Sequence, residues 1–102
     1  MSKTIAVQIG NSDNKLTQNE WSHFHAFVNA VIMEHSCQMH FSGASNPTDP
    51  WQNATWIFEP LDDDNSKLIS RLANAAHAFK QDSIALTEGI TQFVAAAKGG
   101  AA

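Results

Sequence analysis

The sequence predicts an α+β domain of the ferredoxin-like type, a βαββαβ sandwich with two helices on one face of an antiparallel sheet. Two capped amphipathic stretches predict the helices, and four short stretches of strand-forming residues predict the sheet. Their order along the chain is strand, helix, two strands, helix, strand. With 102 residues the chain suits one domain, which we place at residues 1–94, followed by a Gly/Ala tail at 95–102.

The best-specified element is a helix over residues 16–35. Thr17 and Glu20 have the spacing of a capping box, in which each side chain accepts a hydrogen bond from the other residue's backbone N–H. Leu16 and Trp21 occupy the two positions of a hydrophobic staple. At about 100° per residue one stripe of this helix carries seven residues that we expect to face the sheet: Trp21, Phe24, Phe27, Val28, Val31, Ile32 and His35.

Four strands are predicted at residues 4–9, 37–42, 54–58 and 83–87. The first two alternate between apolar and polar side chains, as expected for strands buried on one face. We place the following side chains inward, toward the helices: Ile5, Val7, Ile9, Met39, Phe41, Trp56, Phe58, Ile84 and Leu86.

A second helix is predicted at residues 66–80, after acidic N-cap candidates at 62–65. Its apolar stripe consists of Leu68, Leu72, Ala75, Ala76 and Phe79, with Ile69 at the margin. Near the end of the chain, Glu88 and Gly89 are compatible with a two-residue hairpin turn into a short last strand at 90–94.

Both helices cover one face of the predicted sheet, so the opposite face is bare. The alternation of side chains assigns to this open face Ala6, Gln8, Gln38, His40, Thr55, Ile57, Ala85 and Thr87. This set is mildly apolar and predicts a homodimer or a higher oligomer. The alternative is a solvated sheet face. An outward orientation of Trp56 and Phe58 would strengthen the prediction of an oligomer.

Composition argues against several classes of partner. Six Lys and Arg against ten Asp and Glu give a net charge of −4, which argues against nucleic acid and anionic membranes. Cys37 is the only cysteine, so it cannot form an internal disulfide, and it suits a reducing compartment. No leader-like segment or apolar run long enough for a membrane span is present. We therefore expect a soluble, cytoplasmic protein.

Five histidines raise the question of metal binding or acid–base catalysis. His23 and His25 lie on opposite sides of the helical stripe, and His35, Cys37 and His40 straddle a helix end and a strand. We therefore predict no metal and no other cofactor. Local catalytic signatures are absent, so no catalytic residue is assigned. The alternative is a small hydrolase or isomerase that uses His25, His35 or His40.

Aromatic and amide side chains form the more specific candidate site, near the long loop at residues 43–52. Indole and imidazole rings stack on purines, and Ser, Asn and Gln can hydrogen-bond a base or ribose edge. The predicted ligand-binding residues are Asn11, Trp21, His25, Ser42, Ser45, Asn46, Trp51 and Gln52. The alternative interpretation is that Trp21 and Trp56 are core residues and that Trp51 anchors the loop.

The closing stretch at residues 79–94, together with Trp56-Ile57-Phe58, resembles small uncharacterised accessory proteins of tailed bacteriophages. In these proteins a helix ends in a Gln-Asp/Glu-Ala/Ser-Ile-Ala strand, which here reads 81–85. The resemblance implies a phage protein of the host-takeover or anti-defence kind, and it transfers no functional residue. Some such proteins sequester nucleotide immune signals between subunits.

These observations favour a non-catalytic binding module that holds a small nucleotide-like signal or a host protein. The absence of a catalytic signature, the loop tryptophans and the bare sheet face support it. A third alternative, besides the small enzyme, is a protein–protein inhibitor that acts through its acidic surface.

Overall fold

A computed structural model describes residues 2–11, 15–46 and 51–97. Its elements in chain order are β1 (Ser2–Gly10), α1 (Gln18–His35), β2 (Ser36–Ala44), β3 (Asn53–Pro60), α2 (Ser66–Ala78) and β4 (Ala85–Thr91). The turn formers at 12–14, the middle of the long loop at 47–50 and the end of the tail at 98–102 lie outside the described residues.

The four strands form one antiparallel sheet in the order β2-β3-β1-β4. Each helix connects two strands that are separated by one strand of the other half, which is the ferredoxin-like arrangement and confirms the predicted fold class. The helices and the inward sheet face enclose one core. Its largest fully buried side chains are Trp56, Phe24, Phe58, Ile5, Ile32 and Leu68.

Helix α1 begins with the predicted capping box. The Thr17 hydroxyl accepts from the Glu20 N–H at 3.2 Å, and the Glu20 carboxylate accepts from the Thr17 N–H at 3.0 Å. These hydrogen bonds hold the pKa of Glu20 below its usual value. Phe27 was predicted inward but is 45% exposed, because it lies where α1 borders α2. The centroid of its ring is 6.1 Å from that of the Phe79 ring.

Helix α2 starts as predicted but ends at Ala78, two residues early. The Asp64 carboxylate accepts from the backbone N–H of Ser66 at 2.9 Å, which lowers the pKa of Asp64. At the other end Lys80 adopts a left-handed backbone with φ 57°, and the Gln81 N–H donates to the Ala76 carbonyl. This left-handed residue terminates the helix in the manner of a C-terminal cap.

Strand β2 departs from simple alternation, and the predicted inward position of Phe41 is wrong. Its register with β3 shifts twice, between Ser36 and Gln38 and between Met39 and Phe41. The second shift adds one residue, so Phe41 pairs with Ile57 on the open face. Its ring crosses over Gly43, where an added Cβ would lie 2.7 Å from the ring.

Strand β4 runs without interruption through Gly89, so the hairpin turn at Glu88 and Gly89 is not formed. Both residues pair with β1, and pairing continues to Ser2 opposite Thr91. Because β1 extends far enough to offer these partners, a straight strand satisfies more backbone groups than a turn would. The last apolar side chains project away from the core: Ile90, Phe93 and Val94 are 69%, 81% and 87% exposed.

Candidate functional site

The first half of α1 and the end of β2 border a groove with a volume of about 240 Å³. We call it the α1–β2 groove. Its helical residues have the spacing i, i+3, i+4, i+7, which places them on one side of α1. Because β2 lies at the edge of the sheet, α1 leaves part of this strand uncovered. The lining residues are Gln18, Trp21, Ser22, His25, Ala44 and Ser45.

Aromatic rings form the floor of this groove. The His25 ring lies 6.3 Å from the Trp21 ring and 5.1 Å from the Trp56 ring, tilted by 55° and 37°. Burial lowers the pKa of His25. The imidazole is therefore neutral at neutral pH, so that it has one donor and one acceptor nitrogen. Such a ring can both pack against a planar ligand and hydrogen-bond to its edge.

Two predicted site residues, Asn11 and Gln52, are structural. Both are buried. The Asn11 amide donates to the Leu16 carbonyl at 2.9 Å and to Gln52 Oε1 at 3.2 Å, and its Oδ1 accepts from the Leu16 N–H. Gln52 in turn donates to Gln18 Oε1 at 2.8 Å. These two amides tie the end of β1 to the start of α1, so their hydrogen-bonding groups are used within the fold.

The other predicted residues divide between the groove and its surroundings. Ser45 lines the groove, and its hydroxyl accepts from the Asn53 N–H at 2.9 Å. Ser42 lies on β2 opposite Trp56 and is exposed, as is Asn46. Trp51 is 66% exposed and is not among the lining residues. The structure thus brings together Trp21, His25 and Ser45, and it adds Gln18, Ser22 and Ala44.

Of the two tryptophans with a core alternative, Trp56 is entirely a core residue. It is 1% exposed, and its indole N–H donates to Asn29 Oδ1 at 2.9 Å. Trp21 also belongs to the core, yet one part of its ring reaches the groove. Trp21 is therefore a core residue that also lines the groove.

His35 and His40, the other two candidates for catalysis, make separate contacts. His35 Nδ1 lies 2.9 Å from the Val31 carbonyl, within its own helix. His40 Nε2 lies 3.3 Å from Glu59 Oε1 on the open face, a pair that the bulge in β2 brings together. In the described part of the chain, no three His, Cys, Asp or Glu side chains are grouped as a metal site would require.

A second groove, between α2 and β4, escaped the sequence analysis. Its volume is about 360 Å³, and we call it the α2–β4 groove. The sequence signal for this groove was Ile69, which lies at the margin of the apolar stripe of α2. An apolar residue in that position, beside an edge strand, is only partly covered by the sheet. The lining residues are Ile69, Leu72, Ala73, Ala76, His77, Gln81, Asp82, Ser83, Ile84 and Leu86.

Fold and grooves define a two-layer α+β domain with one aromatic-floored groove and one apolar groove. In comparisons with models of known protein families, with curated proteins and with solved structures, nothing matches this chain. Among the described residues, no helix combines the length and the hydropathy that crossing a membrane requires.

Proposed function

We propose that this protein is a non-catalytic binding module that holds a small nucleotide-like ligand by its base in the α1–β2 groove. The observation that carries the proposal is the Trp21–His25 floor, which is bordered by the polar side chains of Gln18, Ser22 and Ser45. A planar heterocycle needs an aromatic surface to stack on and hydrogen-bonding groups at its edge. The groove offers both within one short helical segment.

The size of the groove limits what it can hold. Small-molecule sites usually measure roughly 300–1,000 Å³, and this groove is smaller, at about 240 Å³. It accommodates a single base, and the sugar and phosphate would lie outside it. The exposed ring of Trp51, at the start of the segment that leads into β3, is available for a further stacking contact.

Chemistry of the lining explains why a base is favoured over a phosphate. None of the six lining residues carries a positive charge, and His25 is neutral because burial lowers its pKa. Amide, hydroxyl and neutral imidazole groups can each pair with the donors and acceptors of a purine edge. Recognition therefore rests on the ring, with little contribution from the charge of the ligand.

The biological setting that we propose is the cytoplasm of a bacterial host infected by a tailed phage. It rests on the resemblance of residues 79–94 to phage accessory proteins. In this setting the protein sequesters a nucleotide immune signal without altering it. We also propose that it acts as an oligomer.

The test uses isothermal titration of the full chain with adenosine monophosphate and with cyclic di-adenosine monophosphate. We expect at least one of them to bind, and to be recovered chemically intact after incubation. Ser22→Trp should fill the groove and weaken binding by at least about tenfold. Ser70→Trp, on an exposed position of α2, is the matched control and should bind like the unmodified protein.

Two results would contradict the α1–β2 groove as a nucleotide-binding site. One is the absence of binding at millimolar concentrations of either nucleotide. The other is equal loss of affinity in the Ser22 and Ser70 variants, which would show that the groove is not the site. Recovery of a hydrolysed nucleotide would favour an enzyme instead.

A further inference from the structure

The two edges of the sheet differ in how open they are to another strand. Edge strand β2 contains two register shifts, at Cys37 and at His40, and such bulges protect an edge from further pairing. Edge strand β4 pairs with β1 in an unbroken register from Ala85 to Thr91. Its outer side has no strand partner among residues 2–11, 15–46 and 51–97. Strand β4 is therefore the edge that can accept another strand.

The α2–β4 groove runs beside this open edge. Its apolar part combines Ile69, which is 50% exposed, with Ile84 and Leu86 from the start of β4 and the loop before it. The even-numbered residues of β4 face the helices, because Leu86 pairs with Val7 and Glu88 with Ile5 in the core. A strand added at this edge would place its own side chains directly over the groove.

The end of β4 and the residues that follow it carry large apolar side chains that are mostly exposed. Ile90, Phe93 and Val94 are 69%, 81% and 87% exposed, although each is a strand-forming residue. An extended chain advances roughly 3.3 Å per residue, so Val94 is roughly 25 Å further along the chain than Leu86. In this conformation the segment 90–94 points away from the groove of its own chain.

We propose that the occupant of this edge and groove is a second copy of the chain, paired antiparallel along β4 with Ile90 on the two-fold axis. In this register, two residues that lie directly opposite each other on the two copies have numbers that sum to 180. On the helix side, Ile90 then faces its counterpart and Val94 faces Leu86 of the partner subunit. On the open side, Phe93 faces Thr87 of the partner subunit and packs beside Gly89.

Charge selects this register among its neighbours. Glu88 is opposite Gln92 of the partner subunit, which can donate a hydrogen bond to the carboxylate. Moving the axis by one residue, to 89, places Ile90 opposite a glutamate. Moving it to 88 places the two Glu88 carboxylates directly opposite each other, and like charges in that position are destabilising. Of these three axes, only the one at Ile90 keeps Glu88 away from both Ile90 and its own counterpart.

The contact is large enough for a stable dimer. An exposed phenylalanine alone brings about 150–250 Å² into an interface. The three apolar side chains of each copy, with the groove residues that they cover, reach on the order of 1,000 Å² in total, which a specific interface requires. The product is a continuous eight-stranded sheet with both α2–β4 grooves filled. This dimer does not depend on the proposed nucleotide site or on the open face.

A cysteine series tests the register on the full chain. In a Cys37→Ser background, Glu88→Cys, Ile90→Cys and Gln92→Cys are each oxidised mildly and run on a denaturing gel. Only the Ile90 variant should form a covalent dimer, because only its two copies lie directly opposite each other. Residue 88 and its own counterpart would be four positions apart. No cross-link at 90, or a stronger one at 88 or 92, would overturn the proposal.

Sedimentation analysis tests the interface itself without any cysteine. We expect the unmodified chain to be a dimer, and Val94→Asp to raise its dissociation constant at least about 100-fold. Phe41→Asp is the matched control on the open face and should leave the dimer intact. A monomeric unmodified chain, or dissociation by Phe41→Asp alone, would overturn the proposal. Ultraviolet circular dichroism shows that each variant is folded.

Discussion

Asn11 is a buried polar residue that joins the end of β1 to the start of α1. Its side chain makes three hydrogen bonds while it is 2% exposed, and its backbone N–H donates to the Gln52 carbonyl at 2.8 Å. Asn11→Ala would leave the N–H and C=O of Leu16 without this partner. We expect it to lower the free energy of unfolding by about 2–4 kcal/mol, as measured by urea denaturation.

The matched control is Asn74→Ala, which removes an exposed amide from α2 and should change the free energy of unfolding by less than about 0.5 kcal/mol. Equal effects in the two variants would mean that the hydrogen bonds of the Asn11 side chain do not stabilise the fold. The sequence could not separate these roles. An Asn and a Gln beside a loop look the same whether they bind a ligand or satisfy buried backbone groups.

His25 should make stability depend on pH. Burial lowers its folded pKa below the ordinary 6.5, so the unfolded chain binds a proton at a higher pH than the folded chain does. The resulting stability is present above pH 6.5 and is lost as the pH falls through 6.5 toward the folded pKa. His25→Phe keeps a ring between Trp21 and Trp56 but cannot be protonated.

Urea denaturation at several pH values between 5 and 8 measures this effect as a difference between the unmodified chain and His25→Phe. Below pH 6.5 the unmodified chain should lose stability relative to the variant, and above it the difference should be constant. A difference that is constant over the whole range would contradict the burial of His25. Helical spacing puts His25 one turn beyond Trp21, and the structure brings the two rings together.

At the scale of elements, β2 shows what alternation can and cannot predict. The strand and its inward Met39 followed from the pattern, and Met39 does pack against the core. The bulge at His40 then shifted the alternation by one residue, so that Phe41 moved to the open face. A bulge depends on the partner strand, which a pattern within one segment does not contain.

Substitution of two phenylalanines distinguishes the two orientations of β2. Phe41→Ala should lower the free energy of unfolding by less than about 1 kcal/mol, because the ring is 53% exposed. Phe58→Ala, the core counterpart on β3, should lower it by about 3–5 kcal/mol. Both are measured by urea denaturation at low protein concentration. Equal costs would restore the inward position that alternation alone predicts.

For the whole molecule, the order of elements was sufficient to predict the class of fold. Helix α1 has its cap, staple and stripe in the sequence, and the two halves repeat strand, helix, strand; these features allow few other topologies. The grooves were harder to predict. They lie where a helix leaves part of an edge strand uncovered. The packing angle between the helix and the sheet decides this, and the sequence of either segment alone does not determine that angle.

We expect the end of the chain to stabilise the dimer and not the fold of a single chain. Beyond Leu86 no residue of the described chain belongs to the core cluster, and residues 92–97 are exposed. A chain that stops after Thr91 keeps every strand pair, since Thr91 is the last residue of β4. At low concentration its free energy of unfolding should therefore equal that of the full chain within about 0.5 kcal/mol.

The thermal midpoint of the full chain should also rise with protein concentration, because dimerisation stabilises the folded state, whereas that of the shortened chain should not. Thermal denaturation over a 100-fold range of concentration measures both, and a shortened chain that is unstable at low concentration would show that the tail packs on its own fold.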